Sequence, residues 1–155
     1  MENMEKSLII MKPDAVQRNL LGEIINRFER KGLKIIGRKM MHLSDVVLEE
    51  HYGHLKDKPF FGTIKNYMQS SPVVVLALAG HGAIGAIRTI VGPTAGYEAA
   101  GGTIRGDFSM SKQSNIVHAS DSAENGVAEI ARFFSEEEIF EYQKIDTDFI
   151  YSDRK

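Results

Sequence analysis

The sequence predicts one domain of the α/β class, built from short apolar strands and amphipathic helices. Its 155 residues, of which 43% are hydrophobic and 26% charged, suit one globular domain with an apolar core. Apolar runs of strand length alternate along the chain with segments in which apolar residues recur at helical spacing. No internal repeat, heptad run or low-complexity tract interrupts this order. We therefore expect residues 1–155 to form a single domain with one functional site.

The first half of the chain is predicted to contain two strands and three helices. Residues 7–11 form an apolar run that stops at Lys12, as a buried strand ending in a turn does. A helix that begins at Leu21 is followed by Gly32, which suits a left-handed cap. The other predicted elements of this half are a strand over 33–43, a helix that Ser44 caps and that reaches Tyr52, and a helix over 59–68.

The second half is predicted to begin with a central strand, because residues 73–79 are continuously apolar. A helix over 84–91 follows and ends at Gly92. Residues 92–106 carry five glycines and one proline, which predicts a long functional loop. The remaining predicted elements are a short strand that ends at His118, a helix over 127–134, and a capping box formed by Ser135 and Glu138.

Charge and composition exclude several classes of function. The formal net charge is −2 and the basic residues are dispersed, so we expect no nucleic acid as an obligatory partner. The chain has no cysteine, which excludes disulfides, thiolate metal sites and a cysteine nucleophile. Residues 1–6 are polar, and the apolar run after them is too short for a signal peptide or a membrane span. We expect a cytoplasmic protein with no membrane partner.

Three motifs have simpler explanations than the functions they suggest. Residues 80–85 match GxGxxG, but the acidic strand end that a dinucleotide-binding fold places about 20 residues later is missing, and we interpret them as a strand-to-helix turn. The GxxxxG of residues 32–37 lacks the lysine and hydroxyl residue of a P-loop. His51 and His54 lie three apart on a predicted helix without a clear third ligand, so no protein metal site is predicted.

His118 is the candidate nucleophile. It lies where the last predicted strand ends and leads into a helix, a place where α/β domains often put reacting groups. A neutral imidazole, whose ordinary pKa is about 6.5, attacks at neutral pH without a separate base. Phosphoryl transfer depends mainly on cations and hydroxyls around the phosphates. The candidates for that role are Lys12, Arg88, Thr94 and Arg105.

Several segments together resemble one family. They are NIVHASDS around His118, MKPDAVQRNLLGEIINRFERKG, HYGHLKDKPFF, GPTAG and GGTIRGDF. They resemble the corresponding segments of nucleoside diphosphate kinases, and the resemblance extends from Ser7 to Tyr151. It implies an α+β fold with a ferredoxin-like sheet of four antiparallel strands, helices on one face of the sheet, and an inserted helix pair. Periodicity alone leaves a parallel sheet open.

The resemblance implies a ping-pong reaction. A nucleoside triphosphate, typically ATP, would phosphorylate His118, and a nucleoside diphosphate would take that phosphate, which maintains the NTP and dNTP pools. Mg²⁺ would arrive on the nucleotide phosphates. Phe60 would stack on the base, and stacking tolerates any base. The other implied roles are Lys12 and Asn115 at the ribose and phosphate region, Tyr52, Arg88, Thr94 and Arg105 at the phosphates, and Ser120 and Glu129 orienting the histidine.

The chain departs from the family's pattern at three positions. Gly101 stands where much of the family has a proline, in a loop that helps to hold the family's hexamers together, and losing a proline raises the entropy of the free chain. We expect this change to bear on assembly and not on the chemistry, and we predict a homo-oligomer: a hexamer, with a tetramer as the alternative. Lys112 and His54 are expected to alter nucleotide preference modestly.

Two other functions stay open at this point. Ferredoxin-like domains often bind small ligands, and some relatives of the family lack the active histidine, so a non-catalytic regulatory module is one alternative. His118 and the residues around it argue against that module. A phosphotransferase that passes the phosphate to another protein would use the same nucleophile. Competition between acceptors separates this second alternative from nucleotide exchange.

Overall fold

The computed structural model describes residues 4–153, and its centre is a four-stranded antiparallel sheet. The strands lie in the order β2-β3-β1-β4, and each neighbouring pair is antiparallel. This order confirms the predicted antiparallel ferredoxin-like sheet and excludes the parallel alternative. The strands are β1 (Glu5–Met11), β2 (Lys34–Met41), β3 (Val73–Gly80) and β4 (Val117–Ala119).

Eight α-helices lie within residues 4–153, together with three single turns of 3-10 helix. None of the helices in this range has the length and apolar character needed to cross a bilayer. The α-helices are α1 (Pro13–Gln17), α2 (Leu21–Lys31), α3 (Asp45–His51), α4 (Phe61–Met68), α5 (Ala83–Val91), α6 (Ile104–Phe108), α7 (Ala123–Phe133) and α8 (Thr147–Ile150). The 3-10 turns are Gly53–Leu55, Gly96–Glu98 and Glu136–Glu138.

Both faces of the sheet are covered, which corrects the expectation of helices on one face. From Leu8 to Met11, successive side chains of β1 point to opposite faces and are apolar in both directions. Ile9 and Met11 pack in one core cluster with residues of α2 and α5. Leu8 and Ile10 pack in a second cluster with residues of α3, α4 and α7. The inserted pair α3 and α4 and the last long helix therefore cover the face that the resemblance left open.

Local capping signals account for most of the predicted boundaries. Gly32 ends α2 with φ of 103°, in the left-handed region that glycine tolerates. The Ser44 side chain accepts a hydrogen bond from the Val47 amide and begins α3 as predicted. The capping box of Ser135 and Glu138 is also present.

The largest differences from the sequence predictions have local reasons. Helix α7 begins at Ala123 and not at 127, because Ser122 caps a first turn that is polar and carries no apolar period. The predicted loop over 92–106 contains the 3-10 turn Gly96–Glu98 and the start of α6, which Thr103 caps. Helices α1 and α8 were not predicted because their five and four residues are too few for a period to be visible.

The pairing of β4 with β1 sets the direction of the candidate nucleophile. His118 lies directly opposite Ile10 in this antiparallel pair. Directly opposite residues project from the same face of a sheet, and Ile10 belongs to the cluster that contains α7 residues. His118 therefore points towards α7, the helix that carries Glu129.

Helix α7 crosses β1 at a glycine. A methyl group at Gly126 would overlap the backbone carbonyl oxygen of Lys6, so the helix lies closer to the strand than a larger residue would allow. Gly85, in the interior of α5, has open space around the same position. The two helical glycines therefore form a matched pair.

We expect Gly126→Ala to lower the free energy of unfolding by about 2 kcal/mol or more, because the backbone of α7 or β1 must move to admit the methyl group. Gly85→Ala is expected to raise it by about 0.5–1 kcal/mol, since alanine loses less entropy in a helix. Denaturant unfolding of both variants measures the two changes. Equal changes in the two variants would contradict the proposed close approach.

Candidate active site

A cavity of about 520 Å³ lies at the end of β1 and is lined mainly by polar side chains. It brings together residues that are far apart in the sequence, from Lys12 to Arg132. Eight of the ten predicted site residues line it: Lys12, Tyr52, Arg88, Thr94, Arg105, Asn115, His118 and Glu129. The other two are Ser120, which lies behind Glu129, and Phe60. The structure thus collects nearly all the predicted residues in one place.

His118 is held from behind by a chain of hydrogen bonds. Its Nε2 lies 3.0 Å from Oε1 of Glu129, and the Ser120 hydroxyl donates to the same oxygen over 2.5 Å. The Leu8 amide donates to the Ser120 hydroxyl oxygen, which leaves the hydroxyl proton free to point at Glu129. Strand β1 therefore fixes Ser120, Ser120 helps to fix Glu129, and Glu129 fixes the histidine ring.

The charge of Glu129 determines which nitrogen of His118 carries the proton. Burial by itself raises the pKa of Glu129, but the hydrogen bonds from His118 and Ser120 and the nearby histidines lower the pKa below its ordinary value. An ionised carboxylate only accepts hydrogen bonds, so Nε2 of His118 is the donor. In a neutral ring, Nδ1 then keeps its lone pair, and no residue within 4–153 hydrogen-bonds to it.

Four lysine and arginine side chains line the cavity. They are Lys12 directly after β1, Arg88 on α5, Arg105 on α6 and Arg132 on α7. Burial, and then the charge of Arg105, lower the pKa of Lys12 to about 8, although Asp14 opposes this shift. Burial and the neighbouring Arg88 lower the pKa of Arg105 to about 10. Both groups remain mainly charged at neutral pH, and their mutual repulsion favours an anion in the cavity.

Arg105 and Asn115 also build the wall that they line. The guanidinium of Arg105 donates to the carbonyl oxygens of Asn115, Gly92 and Val117, at 3.1, 3.0 and 2.6 Å. The Asn115 side chain accepts from Lys12 Nζ at 2.6 Å and donates to the Thr94 carbonyl at 3.0 Å. A guanidinium has five N–H groups, so Arg105 keeps donors for a ligand.

Phe60 and Lys112, which the sequence analysis relates to the nucleotide base, do not line the cavity. Phe60 precedes α4 as its N-cap residue, is 47% exposed and does not line the cavity. Lys112 is exposed and also lies outside the cavity lining. His54, by contrast, lines the cavity. Base stacking by Phe60 and the effects of Lys112 and His54 on nucleotide preference stay predictions.

His51 is the residue that the sequence did not assign to this site. Its ring stands edge-on to the His118 ring, with 4.7 Å between the centroids, and its side chain is 3% exposed. Arg132 donates to its Nδ1 over 3.1 Å. Burial, and then the charge of His118, lower the pKa of His51 to about 3, so the ring is neutral. Its position next to Tyr52 at the end of a predicted helix was the one available signal.

The structure brings three potential metal ligands together in the cavity. His51 forms a group with His118 and Glu129, in which the three potential ligand atoms lie within 4.8 Å of one another. Hydrogen bonds already engage part of the group: Arg132 donates to Nδ1 of His51, and Oε1 of Glu129 accepts from His118 and Ser120. The group is thus arranged as a hydrogen-bond network.

Comparison with known proteins identifies the family. The family model described as nucleoside diphosphate kinase matches residues 5–139. The chain belongs to the nucleoside diphosphate kinase family. A nucleoside diphosphate kinase from Parabacteroides distasonis is 56% identical over 140 residues, covering 90% of this chain and 92% of the relative. One from Archaeoglobus fulgidus is 48% identical, covering 97% of this chain and the whole of the relative.

Solved structures of nucleoside diphosphate kinases have the same fold. The enzyme from Halobacterium salinarum, solved in complex with CDP, superposes with a TM-score of 0.92 at 36% identity, over 96% of this chain and 99% of that one. A family member from Babesia bovis gives a TM-score of 0.92 at 44% identity, over 95% and 99% of the two chains. The family, the fold and the phosphotransferase class predicted from the sequence are confirmed.

We expect His51 to make the stability of this nucleoside diphosphate kinase depend on pH. Its folded pKa of about 3 lies below its ordinary value, so the unfolded state binds more protons as the pH falls below about 6.5. The free energy of unfolding should therefore drop by about 1.4 kcal/mol per pH unit through this group as the pH is lowered. His118, Arg132 and His54 disfavour the protonated ring, whereas Glu129 favours it.

Denaturant unfolding between pH 7 and pH 4 measures this contribution. The free energy of unfolding of His51→Phe should fall less steeply with decreasing pH than that of the unchanged chain. His42→Phe is the matched control, because His42 is exposed on the surface and should leave the slope unchanged. Identical slopes for the unchanged chain and His51→Phe would contradict the buried, neutral state of His51.

Proposed function

We propose that the chain transfers the γ-phosphate of a nucleoside triphosphate, typically ATP, to a nucleoside diphosphate through a phosphate carried on Nδ1 of His118. The phosphotransferase class follows from membership of the family. The observation that supports the route through His118 is its orientation. Glu129 holds Nε2 at 3.0 Å, and the histidine lines a cavity whose wall carries Lys12, Arg88 and Arg105.

The reaction proceeds in two half-reactions. The lone pair on Nδ1 attacks the γ-phosphorus, the bond from that phosphorus to the bridging oxygen breaks, and the diphosphate leaves with the electron pair. In the second half-reaction, a terminal oxygen of a different diphosphate attacks the phosphorus and displaces the histidine. During attack the ring gains positive charge, which the ionised Glu129 stabilises through the proton on Nε2.

The cationic wall supplies the charge stabilisation that phosphoryl transfer needs. Negative charge spreads over the equatorial oxygens in the transition state, and positioned cations lower its energy. Lys12, Arg88 and Arg105 provide these cations, and Thr94 adds a hydroxyl on the same wall. Tyr52 lines the cavity beside His51 and is assigned to the phosphates. Ser120 is assigned to orienting the histidine, through Glu129.

Nucleotides are the substrates that this arrangement fits. The structure of the Halobacterium salinarum relative in complex with CDP supports a nucleoside diphosphate as the ligand. The cavity of about 520 Å³ falls in the usual range for small-molecule sites. We assign Phe60 to stacking on the base, and Lys12 and Asn115 to the ribose and phosphate region. Stacking without base-specific hydrogen bonds gives the broad specificity that maintaining the NTP and dNTP pools requires.

The donor set of the cavity fits Mg²⁺ that arrives with the nucleotide. Mg²⁺ prefers six oxygen ligands and commonly binds through one or two carboxylates plus substrate phosphates. The cavity lining offers the carboxylate of Asp121, whose Oδ1 accepts from Asn125, and that of Glu50, which pairs with Arg132. A carboxylate oxygen of one of these two residues would bind the ion beside the phosphates. Bound there, Mg²⁺ would neutralise charge on the β- and γ-phosphates.

The wider setting of the enzyme is also a prediction. We propose one catalytic domain over residues 1–155, a cytoplasmic location, and a homo-oligomer that is a hexamer, with a tetramer as the alternative. The sequence carries the family's segments with Gly101 in the loop implied to hold subunits together. Sedimentation of the purified chain measures the oligomeric state directly.

Incubation with γ-labelled ATP and Mg²⁺ tests the proposed route. We expect an acid-labile, alkali-stable phosphoenzyme that forms on the unchanged chain, is absent in His118→Ala, and discharges onto both GDP and CDP. Glu129→Gln should slow its formation roughly 10- to 100-fold, the equivalent of one hydrogen bond to a charged group. A phosphoenzyme that depends on His118 but ignores diphosphates would indicate a protein acceptor. No phosphoenzyme at all would overturn the proposed reaction.

Lys12 gives a second prediction, which concerns proton uptake. Its pKa is lowered to about 8 by burial and by Arg105, and a bound polyphosphate should raise it again. Binding of a nucleoside diphosphate between pH 8 and 8.5 should therefore take up about half a proton or more per site. The nucleotide's own last phosphate ionisation lies at about pH 6, well below this range.

Calorimetric titrations in two buffers of different ionisation enthalpy measure this uptake. Lys12→Gln should remove it and should also remove the fall in affinity that we expect as the pH rises above about 8. Equal uptake in Lys12→Gln would assign the proton to another group.

A further inference from the structure

A strained turn precedes the nucleophile. Ile116 has φ of 77°, one of two positive values at non-glycine residues within 4–153, and its side chain is fully buried. The Val117 amide donates to the Asn115 carbonyl over 2.9 Å, which closes a three-residue γ-turn around Ile116. A β-branched residue in this conformation costs about 1–3 kcal/mol and persists only where its surroundings hold it.

Hydrogen bonds from three elements hold this turn. Lys12 donates its amide to the Ile116 carbonyl at 2.9 Å, and Arg105 donates to the carbonyls of Asn115 and Val117. The amide of Ile116 itself donates to Oδ2 of Asp14, on α1, at 3.1 Å. Without Asp14 that buried amide would have no partner, which costs about 1–3 kcal/mol. Asp14 thus supports the strained residue directly.

The other oxygen of the Asp14 carboxylate connects this turn to α4. The Tyr67 hydroxyl donates to Oδ1 of Asp14, across 53 residues of sequence. Burial, and then the hydrogen bond with Asp14, raise the pKa of Tyr67, so the hydroxyl keeps its proton and acts as the donor. With Tyr67 on one oxygen and Ile116 on the other, the carboxylate has a single orientation.

We propose that Tyr67 is a positioning residue for the nucleophile: its hydroxyl orients the Asp14 carboxylate, which holds the strained turn and so sets the places of Asn115 and His118. The inference rests on the phosphoryl transfer proposed above. The Tyr67 hydroxyl hydrogen-bonds to Asp14 and acts on Asn115 and His118 through the turn. Phe60, which is assigned to the base, directly precedes α4. The hydrogen bond between Tyr67 and Asp14 therefore connects α4 to the turn before the strand that carries His118.

A single hydroxyl deletion tests this role. Tyr67→Phe keeps the ring that packs in the second core cluster and removes only the donor to Asp14. We expect the maximal rate of phosphoenzyme formation at saturating MgATP to fall about 3- to 10-fold, because small displacements of reacting groups lower a rate even when binding is retained. The dissociation constant of the nucleotide should change by less than about twofold.

Tyr142→Phe is the matched control. It also removes a tyrosine hydroxyl that donates a hydrogen bond, in this case to the Ile35 carbonyl, far from the cavity lining. We expect it to leave the rate of phosphoenzyme formation unchanged. The ¹⁵N resonances of the His118 ring report its environment directly, and they should move in Tyr67→Phe and not in Tyr142→Phe.

A double-mutant cycle separates this path from a general loss of packing. Asp14→Asn keeps an oxygen for the Ile116 amide but replaces the oxygen that faces Tyr67 with an N–H donor, so the Tyr67 hydroxyl loses the acceptor to which it donates. The losses in maximal rate from Tyr67→Phe and Asp14→Asn should therefore not multiply in the double variant. Because Asp14 also influences Lys12, the cycle uses the maximal rate and not the affinity.

Three results would overturn the inference. They are losses that multiply in the double variant, a Tyr67→Phe chain that is less stable but reacts at the unchanged rate, and His118 resonances that do not move. If the unchanged chain forms no phosphoenzyme, the proposed reaction fails by itself. The resonances of His118 then still decide whether Tyr67 sets the position of its ring.

Discussion

The pairing of the short edge strand β4 with β1 is the constraint on which the site depends. Three residue pairs fix the register, and one of them places His118 opposite Ile10. A shift of this register by one residue would turn the histidine to the other face of the sheet, away from Glu129. Strand β1 is buried from Ser7 to Met11, and Lys12 follows it directly, so a buried part of the fold also sets the cationic end of the cavity.

Hydrogen bonds that begin at the backbone of β1 extend this constraint to the proposed nucleophile. Leu8, in the middle of β1, donates to Ser120, and Ser120 donates to Glu129. Glu129 then determines the tautomer of His118, since an ionised carboxylate requires a donor at Nε2. Leu8 does not line the cavity, yet its amide takes part in the hydrogen bonds that determine which nitrogen of His118 carries the proton. Preorganisation of this kind lowers the reorganisation needed at the moment of transfer.

Sequence reasoning was sufficient wherever a local pattern or a family segment carried the information. Gly32 and Ser44 marked helix ends by their chemistry, and the segment around His118 led to the correct family. Hydrophobic periodicity could not predict the relative direction of neighbouring strands, because apolar runs look alike in parallel and antiparallel sheets. The positive φ of Ile116 gave no signal, since β-branched residues disfavour it. His51 reaches His118 through tertiary packing, which spacing along one helix does not reveal.

The glycine at the crossing of α7 and β1 also limits how the enzyme can change. Glu129 follows Gly126 by three residues on the same helix, so both lie on neighbouring positions of one helical face. Any side chain at 126 that lifts α7 from the strand also withdraws the carboxylate, and its 3.0 Å hydrogen bond to His118 loses strength steeply with distance. A second mutation elsewhere can restore the lost stability without restoring that distance. A sequence change that alters the spacing between α7 and β1 therefore also alters the hydrogen bond that orients His118.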